Sequence, residues 1–324
     1  MYQPLALLTG VILAVMVAIN GNLTAEYGTF PAAAIIHAVG TLFALVLCSM
    51  QKNKKPLLGH HPLWIYLGGA IGVLTTVFNN LAYGTITMTS IVALGLLGQT
   101  VTALLIDSLG LFGMQRRPFR KTSLWGFAFA VVGIFVMADS TEMAEIVAVI
   151  VSLGAGVSVV LSRTVNARLA EKVGALRGSL VNHMVGLPIT ILLAFVAFIG
   201  NGLSEVTDRA FSPWVYCGGM LGVGVVLLFN LIVLKVPAFR LTVLTFIGQV
   251  FTGILLDVIT GGGYSKSSFY GGFIVTAGVA VNIFAEQLAK RNERREREYW
   301  DRIKKVEELH RIDLLKKYGN EHRK

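Results

Sequence analysis

Charged residues are scarce along most of this 324-residue chain, which argues against a water-soluble globular fold. Of the whole sequence, 14% is charged and 54% is apolar. Residues 290–324 alone hold 13 basic and 8 acidic residues, so only 25 charged residues remain among the first 289. So few charges between long apolar runs are typical of helices that cross a lipid bilayer.

The sequence also lacks the patterns that enzymes and metal proteins carry. Cys48 and Cys217 are its two cysteines, and both lie in apolar runs, which argues against a disulfide or a metal site. Because it has no phosphate-binding loop, nucleophile elbow or metal-spaced cluster, we expect no catalytic residues, no cofactor, no metal and no ATP-driven pumping. The net charge of +10 comes from basic residues at helix ends, so no nucleic-acid partner is expected. No basic region precedes the first apolar run, which we expect to stay as a membrane anchor.

What the sequence does contain is a series of apolar runs that predicts ten transmembrane helices. Runs of roughly 20 apolar residues match the thickness of a bilayer, and none shows the ten-residue alternation of a membrane barrel. The predicted spans are 3–23, 31–50, 63–83, 88–110, 123–139, 145–162, 178–199, 213–234, 241–260 and 270–289.

Two sequence signatures occur twice, 150 residues apart. Residues 98–107, GQTVTALLID, return at 248–257 as GQVFTGILLD, and residues 64–73, WIYLGGAIGV, return at 214–223 as WVYCGGMLGV. The chain is therefore two copies of one membrane module. Duplicated membrane modules are common in secondary transporters, where the substrate site lies between the copies.

Basic residues predict the orientation of the helices. The even-numbered connections hold 13 Lys and Arg residues and the odd-numbered ones hold 2, with Arg163, Arg168, Lys172 and Arg177 assigned to the sixth. The excess of positive charge places both termini and all even-numbered connections in the cytoplasm. Each copy has five spans, so the second copy must run upside down relative to the first.

The predicted fold is therefore an all-α membrane protein with ten transmembrane helices in two inverted five-helix repeats. Residues 1–143 are expected to form the first repeat, 144–289 the second, and 290–324 a charged helical tail in the cytoplasm. Three roles for this tail stay open: a solvated helix, a helix on the anionic inner leaflet, or a contact with another protein.

Polar residues that recur in both copies are the candidates for a transport path, because a polar side chain in a bilayer needs a partner or water. A shift of 146 residues pairs Asn20 with Asn166 and His37 with His183. A shift of 150 pairs Gln99 with Gln249 and Asp107 with Asp257. The recurring glycines are predicted to let helices pack closely: Gly40, Gly186, Gly68, Gly72, Gly218 and Gly222.

Each of these pairs has both a structural and a functional interpretation. The histidines are either helix-packing hydrogen bonders or titratable groups on the central path. The asparagines and glutamines either bond neighbouring helices or contact substrate. The carboxylates of Asp107 and Asp257 either cap a neighbouring helix end or take part in gating or proton transfer.

The same residues carry a family resemblance over residues 1–289. The chain resembles the drug/metabolite transporter superfamily, and within it the YdcZ-type family of bacterial inner-membrane proteins. The resemblance rests on Asn20 in the first helix, His37-Ala-Val-Gly40 in the second, Trp64-x-Tyr-x-Gly-Gly in the third and Gly98-Gln99 through Asp107 in the fourth. It implies ten helices in two inverted repeats and an exporter of the inner membrane.

One departure limits what the resemblance implies. The related small multidrug resistance proteins carry an acidic residue in their first helix, which serves for both proton and cation binding. The corresponding positions here are Asn20 and Asn166. Proton-for-cation exchange on that carboxylate is therefore not expected.

The function predicted from the sequence is secondary transport of a small organic molecule across the cytoplasmic membrane by alternating access. Export is the expected direction, with protons as a candidate coupling ion. An uptake permease of the same fold and a non-transporting membrane scaffold or partner subunit are the alternatives. Paired polar residues within the spans favour transport, because a scaffold needs only apolar packing there.

The predicted topology can be tested by labelling with a membrane-impermeant thiol reagent from outside the cell. We expect Thr141→Cys to be labelled and Arg117→Cys to be protected, since the two positions lie in connections of opposite charge bias. The reverse pattern would contradict the orientation.

Overall fold

The computed structural model is built of helices, and no strand occurs among the residues it describes. Eight of these helices follow one another along the chain: α1 Tyr2–Tyr27, α2 Thr29–Ser49, α3 Gly68–Ala82, α4 Met88–Leu109, α5 Ile146–Val173, α6 Ala175–Asn201, α7 Cys217–Ile232 and α8 Ala238–Ile259. The described residues are 2–52, 56–57, 59, 61–82, 88–116, 128, 131–132, 146–201, 212–259, 270–271, 273–274, 277–278, 281, 284, 288, 291–292, 294–296 and 298–309.

These eight helices correspond to the predicted spans one to four and six to nine. Within the described part, six helices are long and apolar enough to cross a membrane, while α3 and the Leu94–Leu109 stretch of α4 are apolar but shorter. Most of the predicted fifth span, 123–139, and much of the tenth, 270–289, lie outside the described residues. So do the connection residues Thr141 and Arg117.

Two of the predicted spans begin with a short 3-10 helix. Leu63–Tyr66 precedes α3, and Pro213–Tyr216 precedes α7. These segments carry the Trp-x-Tyr part of the repeated signature, and the Gly-Gly part that follows lies at the start of the α-helix. Trp64 and Trp214 are exposed, at 39% and 51%, as expected of side chains that anchor a helix at a membrane surface.

Helix α5 corrects the predicted end of the sixth span. The sequence placed that end at residue 162 because basic residues follow, but α5 continues to Val173. Arg163 and Arg168 therefore lie within a helix rather than in a connection. The chain turns at Gly174, whose φ of 96° suits glycine, and α6 begins at Ala175.

Helices of one sequence copy pack mainly against helices of the other. Helix α1 packs on α7 and α8, and α5 packs on α3 and α4. Helices α2 and α6 cross each other at the centre. The described helices thus form two mixed groups, α1 with α2, α7 and α8, and α3 with α4, α5 and α6.

Glycines make the closest of these contacts, and the contacts recur at the same two shifts as the sequence. Gly10 of α1 lies against the backbone of α8 at Thr245 and Gln249, and Gly156 of α5 lies against α4 at Gly95 and Gln99. In the same way, Gly98 meets the backbone of Leu153, and Gly248 meets Leu7. A side chain at any of these glycines would overlap the neighbouring backbone.

The connections gather at two opposite ends of the bundle. At one end, which we name the basic end, Arg168 donates to the carbonyls of Phe112 and Gly113 after α4, and Leu57 packs near Leu169. At the other, which we name the tyrosine end, the hydroxyls of Tyr27 and Tyr216 are 2.6 Å apart.

Two glycines of α7 provide a matched test of this packing. A Cβ added at Gly219 would lie 2.6 Å from the carbonyl oxygen of Ile36, whereas one added at Gly224 would meet no atom within 4 Å. Gly219→Ala is expected to lower the free energy of unfolding by about 1–3 kcal/mol through overpacking. Gly224→Ala is expected to leave it unchanged or raise it by up to about 1 kcal/mol.

Thermal unfolding of the detergent-solubilised protein measures both variants. Equal midpoints for Gly219→Ala and Gly224→Ala would show that α2 and α7 do not approach each other so closely.

Candidate functional site

His37 and His183 face each other where α2 crosses α6. Their ring centroids are 5.7 Å apart, and His183 is 4% exposed. Each ring lies against the glycine of the opposite helix, His37 against Gly186 and His183 against Gly40. The glycines predicted to let helices pack closely thus meet the histidines, since each histidine fills the space beside the glycine of the opposite helix.

Backbone hydrogen bonds orient both rings. Nδ1 of His37 is 3.0 Å from the carbonyl oxygen of Ala33, and Nδ1 of His183 is 2.9 Å from that of Ser179. Because a carbonyl oxygen only accepts, each Nδ1 carries the hydrogen. The Nε2 of a neutral ring is then left as an acceptor, and for His183 it faces Gly40 and Gly222.

Asn166 lies in a polar network on α5 and α6. Its amide nitrogen donates to Oδ1 of Asn182 at 2.7 Å and lies 3.4 Å from Oγ of Ser162. Ser162 donates in turn to the carbonyl of Gly68 at 2.7 Å. The side chain of Asn166 also lies against the α-carbon of Gly68, where any larger residue would overlap it.

Asn20 has the equivalent position on α1 but different neighbours. Its Oδ1 lies against Gly218, as that of Asn166 lies against Gly68. Ile36 and Met16 stand where the other copy has Asn182 and Ser162, and Oδ1 of Asn20 is buried without a hydrogen-bond partner. The two asparagines therefore occupy matching places with unequal hydrogen bonding.

The glutamines and Asn230 are further polar residues between the helices. Gln99 and Gln249 are half-buried, and their backbone nitrogens lie beside Gly156 and Gly10. Asn230 of α7 donates to the carbonyl of Ala175 at 2.9 Å and so joins α7 to the start of α6.

Asp107 caps the N-terminus of α8. Its two carboxylate oxygens each accept a backbone N–H at 2.9 Å, from Ala238 and from Phe239. The side chain is 7% exposed. A carboxylate at this position satisfies two N–H groups that the helix itself leaves unpaired, and it is stabilised by the helix dipole.

Arg163 lies beside the same helix start. It is 5% exposed, and its guanidinium donates to the hydroxyl of Thr242 and to the carbonyl of Ala238 at 3.4 Å. The Phe229 ring centroid is 5.7 Å from Cζ, and the charge of Asp107 acts on the guanidinium. Arg163 thus donates to the carbonyl of Ala238, the first residue of α8, while Asp107 accepts from the N–H of the same residue.

Sequence reasoning missed Arg163 because it treated the basic residue as the start of a connection. The repeat held the signal that could have corrected this. A shift of 146 places Arg163 on Val17, inside the first span, and places Asn166 on Asn20. Asn182 and Ser162 were missed for a different reason, since only polar residues that recur in both copies were selected.

The described contacts bring together some of the predicted site residues but not all of them. They join His37 to His183, and they place Asn20 and Asn166 on equivalent glycines of α7 and α3. Among the described residues, no hydrogen bond links the glutamines to the histidines. The side chain of Asp257 lies outside the described residues, as does that of Glu286.

Comparison with known proteins identifies the family. Residues 1–136 and 147–281 match the family model described as "Putative inner membrane exporter, YdcZ". The chain belongs to the YdcZ family. It is therefore a membrane transport protein of the inner-membrane type, and the resemblance seen in the sequence is confirmed.

Two further similarities agree with this fold. The model of the BT1 family matches residues 78–207. A crystal structure of a protein that is 17% identical aligns over 90% of this chain and 97% of its own, with a TM-score of 0.64. No curated protein matches the chain.

The cap on α8 gives a stability prediction for this YdcZ protein. Asp107→Ala leaves two N–H groups without an acceptor, so it is expected to lower the free energy of unfolding by about 2 kcal/mol or more. Asp107→Asn keeps one acceptor oxygen and should lose less.

Ser108→Ala is the control, since the Ser108 side chain is partly exposed and its hydroxyl donates within its own helix, to the carbonyl of Leu105. Its midpoint of thermal unfolding should match that of the wild type. The capping role is wrong if Asp107→Ala unfolds at the same temperature as Ser108→Ala.

Proposed function

We propose that this YdcZ protein is a secondary transporter that exports a small organic molecule by alternating access. The observation that carries the proposal is the pairing of contacts between the two copies. Gly10 meets Gln249 as Gly156 meets Gln99, and Asn20 meets Gly218 as Asn166 meets Gly68. Equivalent contacts at the two ends are what a protein needs if each end is to open in turn.

The proposed architecture is ten transmembrane helices in two inverted five-helix repeats, with the boundaries expected from the sequence. An odd number of spans in each copy requires inversion. Tyr216 lies at the tyrosine end, whereas its repeat counterpart Tyr66 donates to the carbonyl of Leu57 at the basic end, which supports inversion. The basic end is proposed to be cytoplasmic, together with both termini, because it holds most of the basic connections.

The proposed path runs between the two mixed groups of helices. Asn20, Asn166, His37, His183, Gln99 and Gln249 are proposed to line it. The unpartnered Oδ1 of Asn20 supports this role, since a buried acceptor without a donor is costly unless a ligand or water supplies one. Asp107 and Asp257 are proposed to act at the two ends as gating groups. The tail after residue 290 is proposed to contact the inner leaflet or another protein.

A comparison of metabolites inside and outside cells tests the direction and the cargo. Export predicts that cells lacking the protein accumulate at least one small organic compound and that the gene restores its release. Depletion of a compound from those cells would instead indicate an uptake permease. An unchanged metabolite pool would favour a scaffold.

The histidine pair gives a test of proton coupling. If protons bind at the free Nε2, His37→Gln or His183→Gln should abolish the pH dependence of transport, because a glutamine side chain does not titrate. Uptake of the identified compound into inside-out vesicles measures this.

His61→Gln changes a histidine of the connection before α3 and should keep the pH dependence. The coupling role is excluded if both central variants transport with the pH profile of the wild type.

A further inference from the structure

The two ends of the bundle are not equally packed. Arg163 of α5 is 5% exposed, whereas its counterpart Val17 of α1 is 51% exposed. The difference extends along the same faces, because Thr164 and Ala167 are fully buried while their counterparts Ala18 and Gly21 are exposed. Equivalent residues of α1 and α5 therefore differ in exposure, since those of α5 are buried and those of α1 are exposed.

The packing of helices also differs between the two copies, and again the second copy is the more closely packed. Helix α7 packs on α5 and on α6. The equivalent pairs of helices are α3 with α1 and α3 with α2. Among the described residues, these pairs contact each other less extensively. The contacts of α7 lie at the basic end, where Phe229 faces Arg163 and Asn230 bonds Ala175. Within the described part of the chain, the helices therefore pack more closely at the basic end than at the tyrosine end.

Arg163 connects the elements that close this end. Its guanidinium reaches Thr242 and Ala238 of α8 and faces Phe229 of α7, while Asp107 of α4 binds the same start of α8. Helices from both mixed groups are thus joined at one point. No equivalent cation exists at the tyrosine end of the repeat, because position 17 is valine.

One atom of this arrangement is left unsatisfied. Nε of Arg163 is buried and has no hydrogen-bond partner. A buried donor without an acceptor raises the free energy of the closed arrangement, and water would supply the acceptor once the end opens. The contact is therefore suited to be broken and remade.

We propose that Arg163 is the gating residue of the basic end and that the structure is a state closed there and open at the tyrosine end. This inference rests on the proposed transport by alternating access. Loss of the guanidinium should shift the population toward a state open at the basic end and closed at the tyrosine end.

A pair of equivalent cysteine reporters tests the gate in the full-length protein without any substrate. Ala167→Cys reports on the basic end, and Gly21→Cys, its repeat counterpart, reports on the tyrosine end, where an added Cβ meets no atom within 4 Å. Cys48 and Cys217 are replaced by serine in both backgrounds. A membrane-impermeant thiol reagent is applied separately to right-side-out and inside-out vesicles.

In the otherwise unchanged protein, Gly21→Cys should be labelled and Ala167→Cys protected. Arg163→Gln should raise the labelling rate of Ala167→Cys about tenfold or more and lower that of Gly21→Cys, because one population replaces the other. Lys172→Gln removes the same charge from an exposed position of the same helix and should change neither rate. Thr242→Val, which removes one acceptor of Arg163, should act in the same direction to a smaller extent.

The opposite change at the two reporters is the decisive result. If both rates rise, or if only Ala167→Cys is affected, Arg163 stabilises the fold locally and the gating proposal is wrong. Unchanged rates in both Arg163→Gln and Thr242→Val would also overturn it. Labelling needs no transported compound, so the gating proposal can be tested separately from export. Opposite changes in the two labelling rates in a protein that exports nothing would support the gating proposal and contradict the proposed export function.

Discussion

Close contact between helices of the two sequence copies is the constraint on which the rest of this structure depends. Glycines at equivalent positions let backbones meet, as at Gly69 against the carbonyl of Asn182 and Gly219 against that of Ile36. In a membrane, apolar side chains gain little by leaving lipid for another helix, so close packing of this kind supplies much of the association energy. The repeated Gly-Gly signature places one glycine against an asparagine and the next against a helix backbone, so a Cβ at either position would overlap its neighbour.

This interlocking also determines which parts can move. Helices α1 and α7 belong to different copies but to the same packed group, and so do α3 and α5. The backbone contacts through glycine lie largely inside each group, so we expect relative motion at the boundary between the groups. The crossing of α2 and α6 at His37 and His183 joins the groups near their centre, and Asp107 and Arg163 join them at one end. Under the proposed alternating access, opening at one end and closing at the other would correspond to rotation of the groups about this central crossing.

The sequence predicts the helices well because apolar runs and the length of a bilayer span leave few alternatives. It predicted α5 too short because Arg163 resembled a charge in a connection. Its contacts with Thr242, Ala238 and Phe229 on distant helices accommodate the charge inside the bundle. Selecting polar residues that recur in both copies identified Asn166, which pairs with Asn20. It missed Asn182, because the counterpart of Asn182 is Ile36. Features shared by both copies are therefore visible in the sequence, whereas a feature of one copy depends on tertiary contacts.

Separate production of the two sequence copies is the most direct test of this account. Residues 1–143 and 144–324 would be expressed alone and together, and the membrane fraction purified in detergent. If the copies interlock as described, each half alone should be degraded or self-associate, because the glycine faces of α1, α3, α5 and α7 would lack their partners. The two halves together should co-purify as one complex. A stable, monomeric first half would contradict the account, since it would show that one copy folds without the other.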